Sequence, residues 1–482
     1  MKIKINVNGG SISISRVAEL CGGRVCGGDA ESLCRPIRYI CTDSREVGEG
    51  VLFAAIVGER VDGHDYINSA AAAGAAAVLG ERVPEGVDPT IPVIVTGGTV
   101  AALSAIAAGF ADSIPARRVA VTGSVGKTTT KEFIAAVLAA HSSERGVFRT
   151  EGNKNSTIGM PLTMLSIPAD AEYAVLEMGM SGFGEIEAMS LAARPDIAVI
   201  TNIGSSHLEF LKTRENIARA KLEVRAGLAP DGILLLNGDE PLLDDVGLTD
   251  SRAVYFSAAG DRHADFYISE LTDSAEGCTF TLDSSDRVIK DIKIPVRGRH
   301  NAQAALIAAA IGILCGLCDD EIRRGAAAFR PAAMRQSFIS AGGLSVIEDC
   351  YNASPESMRA AIDVLVSSAA ERGGIPAAIL GDMGELGEGS AAMHRAVGEY
   401  FASRGGGFLI AFGPMSAHTA RGAAAAGLSP ECIVRIADIT SEASPRIAAE
   451  AARRTLGERD CLLIKASRSV RAERIVEALC AM

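Results

Sequence analysis

The stretch Val119-Ala-Val-Thr-Gly-Ser-Val-Gly-Lys-Thr-Thr-Thr-Lys131 joins a β-branched apolar run to a glycine turn, a Lys-Thr pair and a helix-forming segment over residues 132–140. That order of residue types suits the cradling of phosphate. Gly123 and Gly126 let backbone N–H groups converge on phosphate oxygens across Ser124 and Val125. Lys127 brings a positive charge for the β and γ phosphates. The hydroxyl of Thr128, followed by Thr129, can ligate Mg²⁺. The next helix aims its positive N-terminal end at the same anion. Only Ser124 and Val125 separate Gly123 from Gly126-Lys127, so the loop is shorter than the usual phosphate-loop spacing. The expectation is an ATP- and Mg²⁺-using enzyme; the loop does not say what the ATP is for.

The elements that must position this loop are legible in pattern. A chain of 482 residues exceeds what one core serves, roughly 250–300 residues, so about two to four domains are expected. Three segments can be drawn: 1–97, rich in short strands and glycine turns; 98–328, carrying the phosphate loop; and 329–482. In the second, a helix over 101–113 precedes the loop. Strands follow at 173–177, 197–201 and 232–237, separated by helical stretches, which signals a parallel sheet with crossover helices. Residues 252–296 read as an antiparallel extension. In the third, strands at 344–349, 377–380, 408–412, 433–437 and 461–464 alternate with helices, and Ser354-Pro355 marks one helix start. The fold class is α/β with three domains: a small α/β domain, a mostly parallel ATPase-type sheet and a Rossmann-like unit.

Composition narrows the class. Hydrophobic residues make up 48% and aromatics 4%, with no Trp, which favours helices packed closely on sheets. The net charge of −12 argues against broad nucleic-acid binding. No signal-like segment opens the chain, and the most apolar run, 302–317, reads as a buried helix, so a cytoplasmic protein without membrane insertion is expected. The eleven cysteines lack framework spacing and suit reduced thiols. Cys315-Gly-Leu-Cys318 has no second pair and reads as structural.

Ligands of open parallel sheets bind at the carboxyl ends of strands. Glu177 ends one such strand, Thr201-Asn202 ends the next, and His207 follows. A carboxylate and an imidazole beside Thr128 make a reasonable Mg²⁺ shell. Lys221 lies in a helix expected over 215–228, on one face with Ile217, Val224 and Leu228. Either it snorkels to solvent, or it is desolvated and its neutral amine becomes able to form a carbamate with CO₂. Asn153 and Asn155, in Gly152-Asn-Lys-Asn-Ser156, offer side-chain amides to a substrate or phosphate oxygen.

Taken together, Thr122-Gly-Ser-Val-Gly-Lys-Thr-Thr-Thr-Lys-Glu132, Asn153-Lys-Asn155, Glu177-Met-Gly179, Thr201-Asn202 with His207, and Ala220-Lys-Leu-Glu223 resemble the Mur ligases. These are the ATP-dependent amide-forming ligases of peptidoglycan precursor synthesis. The resemblance runs nearly end to end. Thr42-Asp-Ser-Arg45, Leu52-Phe-Ala54 and Asp62-Gly-His64 resemble the uridine-nucleotide-binding N-terminal domain of the family's third and fourth amino-acid-adding enzymes, so Ser44 and Arg45 are implied to contact substrate. Gly298-Arg-His-Asn301 resembles the adenine-side motif. Asp349-Cys-Tyr-Asn-Ala-Ser-Pro355 and Leu380-Gly-Asp-Met-Gly-Glu-Leu-Gly387, with His394, resemble the branch whose amine is D-alanyl-D-alanine and whose carboxylate substrate is UDP-N-acetylmuramoyl-tripeptide.

The resemblance implies roles by position. Lys127 would bind phosphate; Thr128, Glu177 and His207 would serve Mg²⁺; Lys221 would be carboxylated at N6. Asn301, Arg335 and Asp349 would approach adenosine, while Asn352 and Arg468, in Lys465-Ala-Ser-Arg468, would face substrate. A monomer is expected. Three residues depart from the family pattern: Ala304 stands for a common Asn, Met334 for a Gly before Arg335, and Ala466 for a Gly. Altered affinity is expected from them. Three rival readings are the related ligase whose amine is meso-diaminopimelate or L-lysine, a small-molecule kinase that shares the loop and needs no amine, and a nucleotide-regulated binding module with no bond-forming chemistry.

Overall fold

The computed structural model describes residues 1–6, 8–142 and 144–482. It contains three sheets. The first is six-stranded, in the order Lys2–Lys4, Tyr39–Cys41, Val51–Ala54, Ala77–Gly80, Val93–Val95, Arg24–Cys26. Its four inner strands pair in parallel, and both edges are antiparallel.

The second sheet has nine strands and carries the phosphate loop. Arg117–Thr122 lies between Ile197–Ile200 on one side and Tyr173–Glu177 on the other, all parallel. Chain order therefore reverses at Arg117–Thr122, and this reversal opens a crevice at the carboxyl ends of the strands. Residue alternation along the pleat explains the layering. Val119, Val121, Val175, Ile197 and Val199 face one apolar cluster; Ala120, Ala174, Leu176, Ala198 and Ile200 face the other. The second cluster continues through Leu103, Ile106 and Phe110 of the helix Thr99–Ala111 to Leu52 and Leu79 of the first sheet. The buried helix Arg299–Leu314 covers the opposite face, apolar almost all round.

The stretch 252–296 differs from expectation. Ala253–Ser257 joins the parallel run beside Ile233–Asn237, and antiparallel pairing begins only with Phe266–Ser274 and Gly277–Ser284. The whole stretch extends one continuous sheet. The expected helix over 215–228 is also shorter. It runs Arg214–Leu222 and tightens into a 3-10 turn, Glu223–Gly227. Close packing forces this, since a Cβ on Gly227 would lie 1.9 Å from the Ser190 carbonyl oxygen.

The third sheet runs Ser337–Ala341, Leu344–Asp349, Cys461–Lys465, Pro376–Gly381, Phe408–Phe412, Ile433–Ile436. All pairs are parallel except the first, an edge hairpin that periodicity did not reveal. Ser354 caps the helix Pro355–Arg372, accepting from Ser357 N–H, with Pro355 at the first position. Where this unit begins, Phe329 stacks on Phe133 of the phosphate-loop helix at 3.5 Å. All eleven cysteines are free thiols, and Cys318 caps the helix Asp319–Ala328. No helix among the described residues is long and apolar enough to cross a membrane.

Candidate active site

The phosphate loop is held in shape from the neighbouring strand end. Asn202 Oδ1 accepts from Val125 N–H at 2.9 Å, and Thr201 Oγ1 donates to the Val125 carbonyl at 2.7 Å. Gly123 has φ 149°, and a Cβ there would fall 1.9 Å from Thr201 Oγ1. Glycine is therefore required by contact as well as by conformation. The Ser124 hydroxyl is buried without a partner among the described residues, a donor left for a bound anion. Lys127 begins the helix Lys127–Ser142, and its ammonium donates to the Gly123 carbonyl at 2.7 Å. Burial pushes its pKa down and the charge of Glu177 opposes that shift.

Around the loop sits an oxygen-rich cluster. Thr128 Oγ1 donates to Glu177 Oε2 at 2.9 Å, and Asn155 Nδ2 donates to Glu177 Oε1 at 2.8 Å. Glu177 is only 3% exposed, and Lys131 lies 3.8 Å from it as a counter-charge. Two hard oxygen donors on a cleft wall fit Mg²⁺, which takes few protein ligands and keeps waters and phosphate oxygens. Among the described residues, no group of three His, Cys, Asp or Glu side chains could hold a metal without such partners. His207 lines the same cleft, and its Nδ1 pairs with Glu385 of the third unit at 2.5 Å.

Lys221 does not line the cleft. It is 1% exposed, so it does not snorkel. Burial, and then the charge of Lys127, hold its pKa well below the lysine range. The amine has no hydrogen-bond or ion-pair partner among the described residues. A neutral amine is the form that reacts with CO₂.

The opposite wall comes from the third unit. Arg335 Nη2 donates to Thr128 Oγ1 at 3.0 Å, and its guanidinium sits 4.3 Å over the Tyr351 ring. Arg335, expected near adenosine, thus places its guanidinium at the phosphate loop. Met334 and Gln336, on either side, adopt φ 59° and 48°; such strain costs roughly 1–3 kcal/mol per residue. Lys465 Nζ pairs with Asp349 at 2.6 Å and donates to the Asn352 carbonyl at 3.0 Å. Asn301 Nδ2 donates to Gln336 Oε1 at 2.7 Å, and His300 Nε2 lies 2.8 Å from the same oxygen. Ala466, where the family commonly has Gly, is accommodated because Gly381 faces it: a Cβ there would lie 2.5 Å away.

One cleft of about 430 Å³ gathers Ser124–Thr129 as residues 124–129, with Asn155, Glu177, His207, Asn301, Arg335, Asp349 and Asn352. Asn153, Ser44, Arg45 and Arg468 lie outside it. Arg45 instead pairs with Asp43 at 2.6 Å, and Arg468 with Glu473 at 3.0 Å. Gln336, Lys465 and Glu356 also line the cleft and were missed. Lys465 ends an apolar strand, the same signal that singled out Glu177. Gln336 and Glu356 carry no local signal.

Comparison with known proteins agrees with this geometry. Three family models match: "Mur ligase family, catalytic domain" over residues 36–111, "Mur ligase middle domain" over 121–312, and "Mur ligase, glutamate ligase domain" over 334–468. The UDP-N-acetylmuramoyl-tripeptide–D-alanyl-D-alanine ligase of Bacillus subtilis is 36% identical, covering 97% of this chain and 98% of its own. The Escherichia coli enzyme of the same name is 34% identical over 81% of this chain and 83% of its own. A MurF crystal structure from Acinetobacter baumannii superposes with TM-score 0.86 at 26% identity, covering 99% and 100% of the two chains. MurF from Thermotoga maritima in complex with ADP gives 0.77 at 28%, covering 92% and 97%. With relatedness of this order along nearly its whole length, the chain belongs to the Mur ligase family.

Proposed function

We propose that this protein is an ATP-dependent ligase that joins D-alanyl-D-alanine to UDP-N-acetylmuramoyl-tripeptide in peptidoglycan precursor synthesis. The observation that carries the reading is the facing of two walls across one cleft: the phosphate loop with Thr128 and Glu177, and Arg335 with Asp349 and Lys465 from the third unit. The relatives of that name at 34–36% identity support the choice of substrates.

A carboxylate does not acylate an amine at neutral pH, because oxide would have to leave. Transfer of the γ-phosphoryl group makes an acyl phosphate, from which phosphate leaves when the amine attacks. The protein's task is to bring a carboxylate to a triphosphate. Lys127, Arg335 and the loop N–H groups offset that repulsion, and a site closed by the third unit keeps water from the acyl phosphate. Mg²⁺, held by Thr128 and Glu177, would neutralise charge on the transferred phosphoryl group. His207 would join it, and Lys221 would contribute as a carbamate. We divide the chain into a UDP-sugar-peptide-binding domain, 1–97, a central ATP-binding domain, 98–328, and a lid, 329–482. The expected working form is a cytoplasmic monomer.

The test is ADP release from ATP with UDP-N-acetylmuramoyl-tripeptide and a panel of amines. Release that requires D-alanyl-D-alanine supports the reading. Release with meso-diaminopimelate or L-lysine moves the protein to the neighbouring ligase, and ADP with a phosphorylated acceptor and no amine makes it a kinase.

A further inference from the structure

The cleft must accept a triphosphate and a substrate carboxylate, so every acidic side chain on its walls needs an account. Glu177 is engaged by Thr128 and Asn155. Asp349 is paired with Lys465. Glu185 accepts from the N–H groups of Ser181 and Gly182. Glu356 is different. It sits in the first turn of Pro355–Arg372 and crosses to the central unit, where Oε1 accepts from Ser205 N–H at 3.0 Å and from Ser205 O–H at 2.7 Å. No cation among the described residues pairs with it. Its second oxygen, Oε2, is buried and has no hydrogen-bond partner among the described residues, although the residue lines the cleft.

A buried carboxylate oxygen with no donor is costly unless a donor arrives. Opposite it in charge, the ligase reaction offers the ammonium of the incoming dipeptide. A diamino acid at the third position of the tripeptide would carry another, and a KM that rises for the tripeptide instead of the dipeptide would assign Glu356 to that group. The α-amino group of a dipeptide has a pKa near 8 and is mostly protonated at neutral pH. Resting on the ligase reading above, we infer that Glu356 Oε2 receives the ammonium of the incoming amine substrate and so fixes where its nitrogen waits relative to the phosphate loop. Ser205 holds Oε1 and thereby prevents the carboxylate from rotating. Glu356 is a binding and specificity residue for primary ammonium substrates; it transfers no phosphoryl group.

The experiment is steady-state ADP release by wild type, Glu356→Gln, Glu356→Ala and Ser205→Ala, varying ATP, UDP-N-acetylmuramoyl-tripeptide, D-alanyl-D-alanine and Mg²⁺ in turn. N-acetyl-D-alanyl-D-alanine, which lacks the ammonium, serves as a competing ligand. Losing a charge-assisted hydrogen bond should raise the KM for D-alanyl-D-alanine by about tenfold or more in both Glu356 variants. KM for ATP and for the nucleotide substrate should stay within about twofold, and preference over the N-acetyl ligand should collapse. Ser205→Ala should have the smaller effect on the amine. An unchanged amine KM overturns the inference. So does a raised Mg²⁺ requirement in its place, which would make Glu356 a metal ligand. Equal rises for every substrate, reproduced by Ser205→Ala, would reduce it to an inter-unit hook. Wild type without amine-dependent ADP release would instead defeat the ligase reading itself.

Discussion

Gly123→Ala gives the sharpest test of how the phosphate loop is built. Its Cβ would stand 1.9 Å from Thr201 Oγ1, 3.0 Å from Thr201 Cβ and 3.1 Å from the Thr201 amide nitrogen. The hydroxyl cannot simply rotate away, because it holds the Val125 carbonyl at 2.7 Å. Overpacking of a tight site costs roughly 1–3 kcal/mol, and a non-glycine residue in a sparsely populated backbone region costs a similar amount. A cost of at least about 2 kcal/mol, falling on the nucleotide-competent loop, corresponds to a drop in ADP affinity of about 30-fold. Titration calorimetry with Mg-ADP measures this directly. Thr201→Ala removes the closest clash and loses one hydrogen bond, about 1 kcal/mol. The double variant should therefore bind ADP better than the two single losses add up to. Wild-type ADP affinity in Gly123→Ala, or strict additivity in the double variant, would refute the contact argument.

Lys127→Ala and Glu177→Ala should each abolish amine-dependent ADP release while the circular-dichroism spectrum stays native; near-normal turnover in either would remove the phosphate and metal roles. Lys221→Ala should be impaired and partly rescued by added short carboxylic acids, which would stand in for a carbamate, and normal unassisted activity would show the modification to be dispensable. In CO₂-free buffer, where Lys221 is an unmodified amine, Lys221→Met should be more stable than wild type at neutral pH, because burial depresses the folded-state pKa of Lys221 and the unfolded chain binds the extra proton. That excess should shrink as pH rises toward the ordinary lysine value, and denaturant midpoints across pH follow it. Cys278, whose thiol burial pushes up to about 12, should resist thiol reagents in the native protein, whereas the exposed Cys34, Cys318 and Cys480 should react within minutes.

Parts of the site that depend on neighbours in sequence were legible early. The phosphate loop is one, since strand, glycine turn and helix start are set by residues a few positions apart. Glu177 and Thr201 are another, because the strand-end rule needs only the strand. The cap at Ser354-Pro355 is local too. The limits of the helix carrying Lys221 were not, since its last turn is tightened by Ser190, far away in the chain.

What the sequence by itself determined is the class of chemistry: an α/β chain with a short phosphate loop, a carboxylate at the adjacent strand end and a lysine on an apolar helix face. Tertiary structure alone decided which groups meet. Arg335 reaches Thr128 across 207 residues, Lys465 reaches Asp349 across 116, and Glu356 reaches Ser205 across 151. It also decided that His207 pairs with Glu385 and that Lys221 is sealed from solvent. The physical reason is separation along the chain. Turn conformation and periodicity are set within a few residues, whereas the register between two independently cored units depends on the packing of their surfaces, which no local pattern encodes.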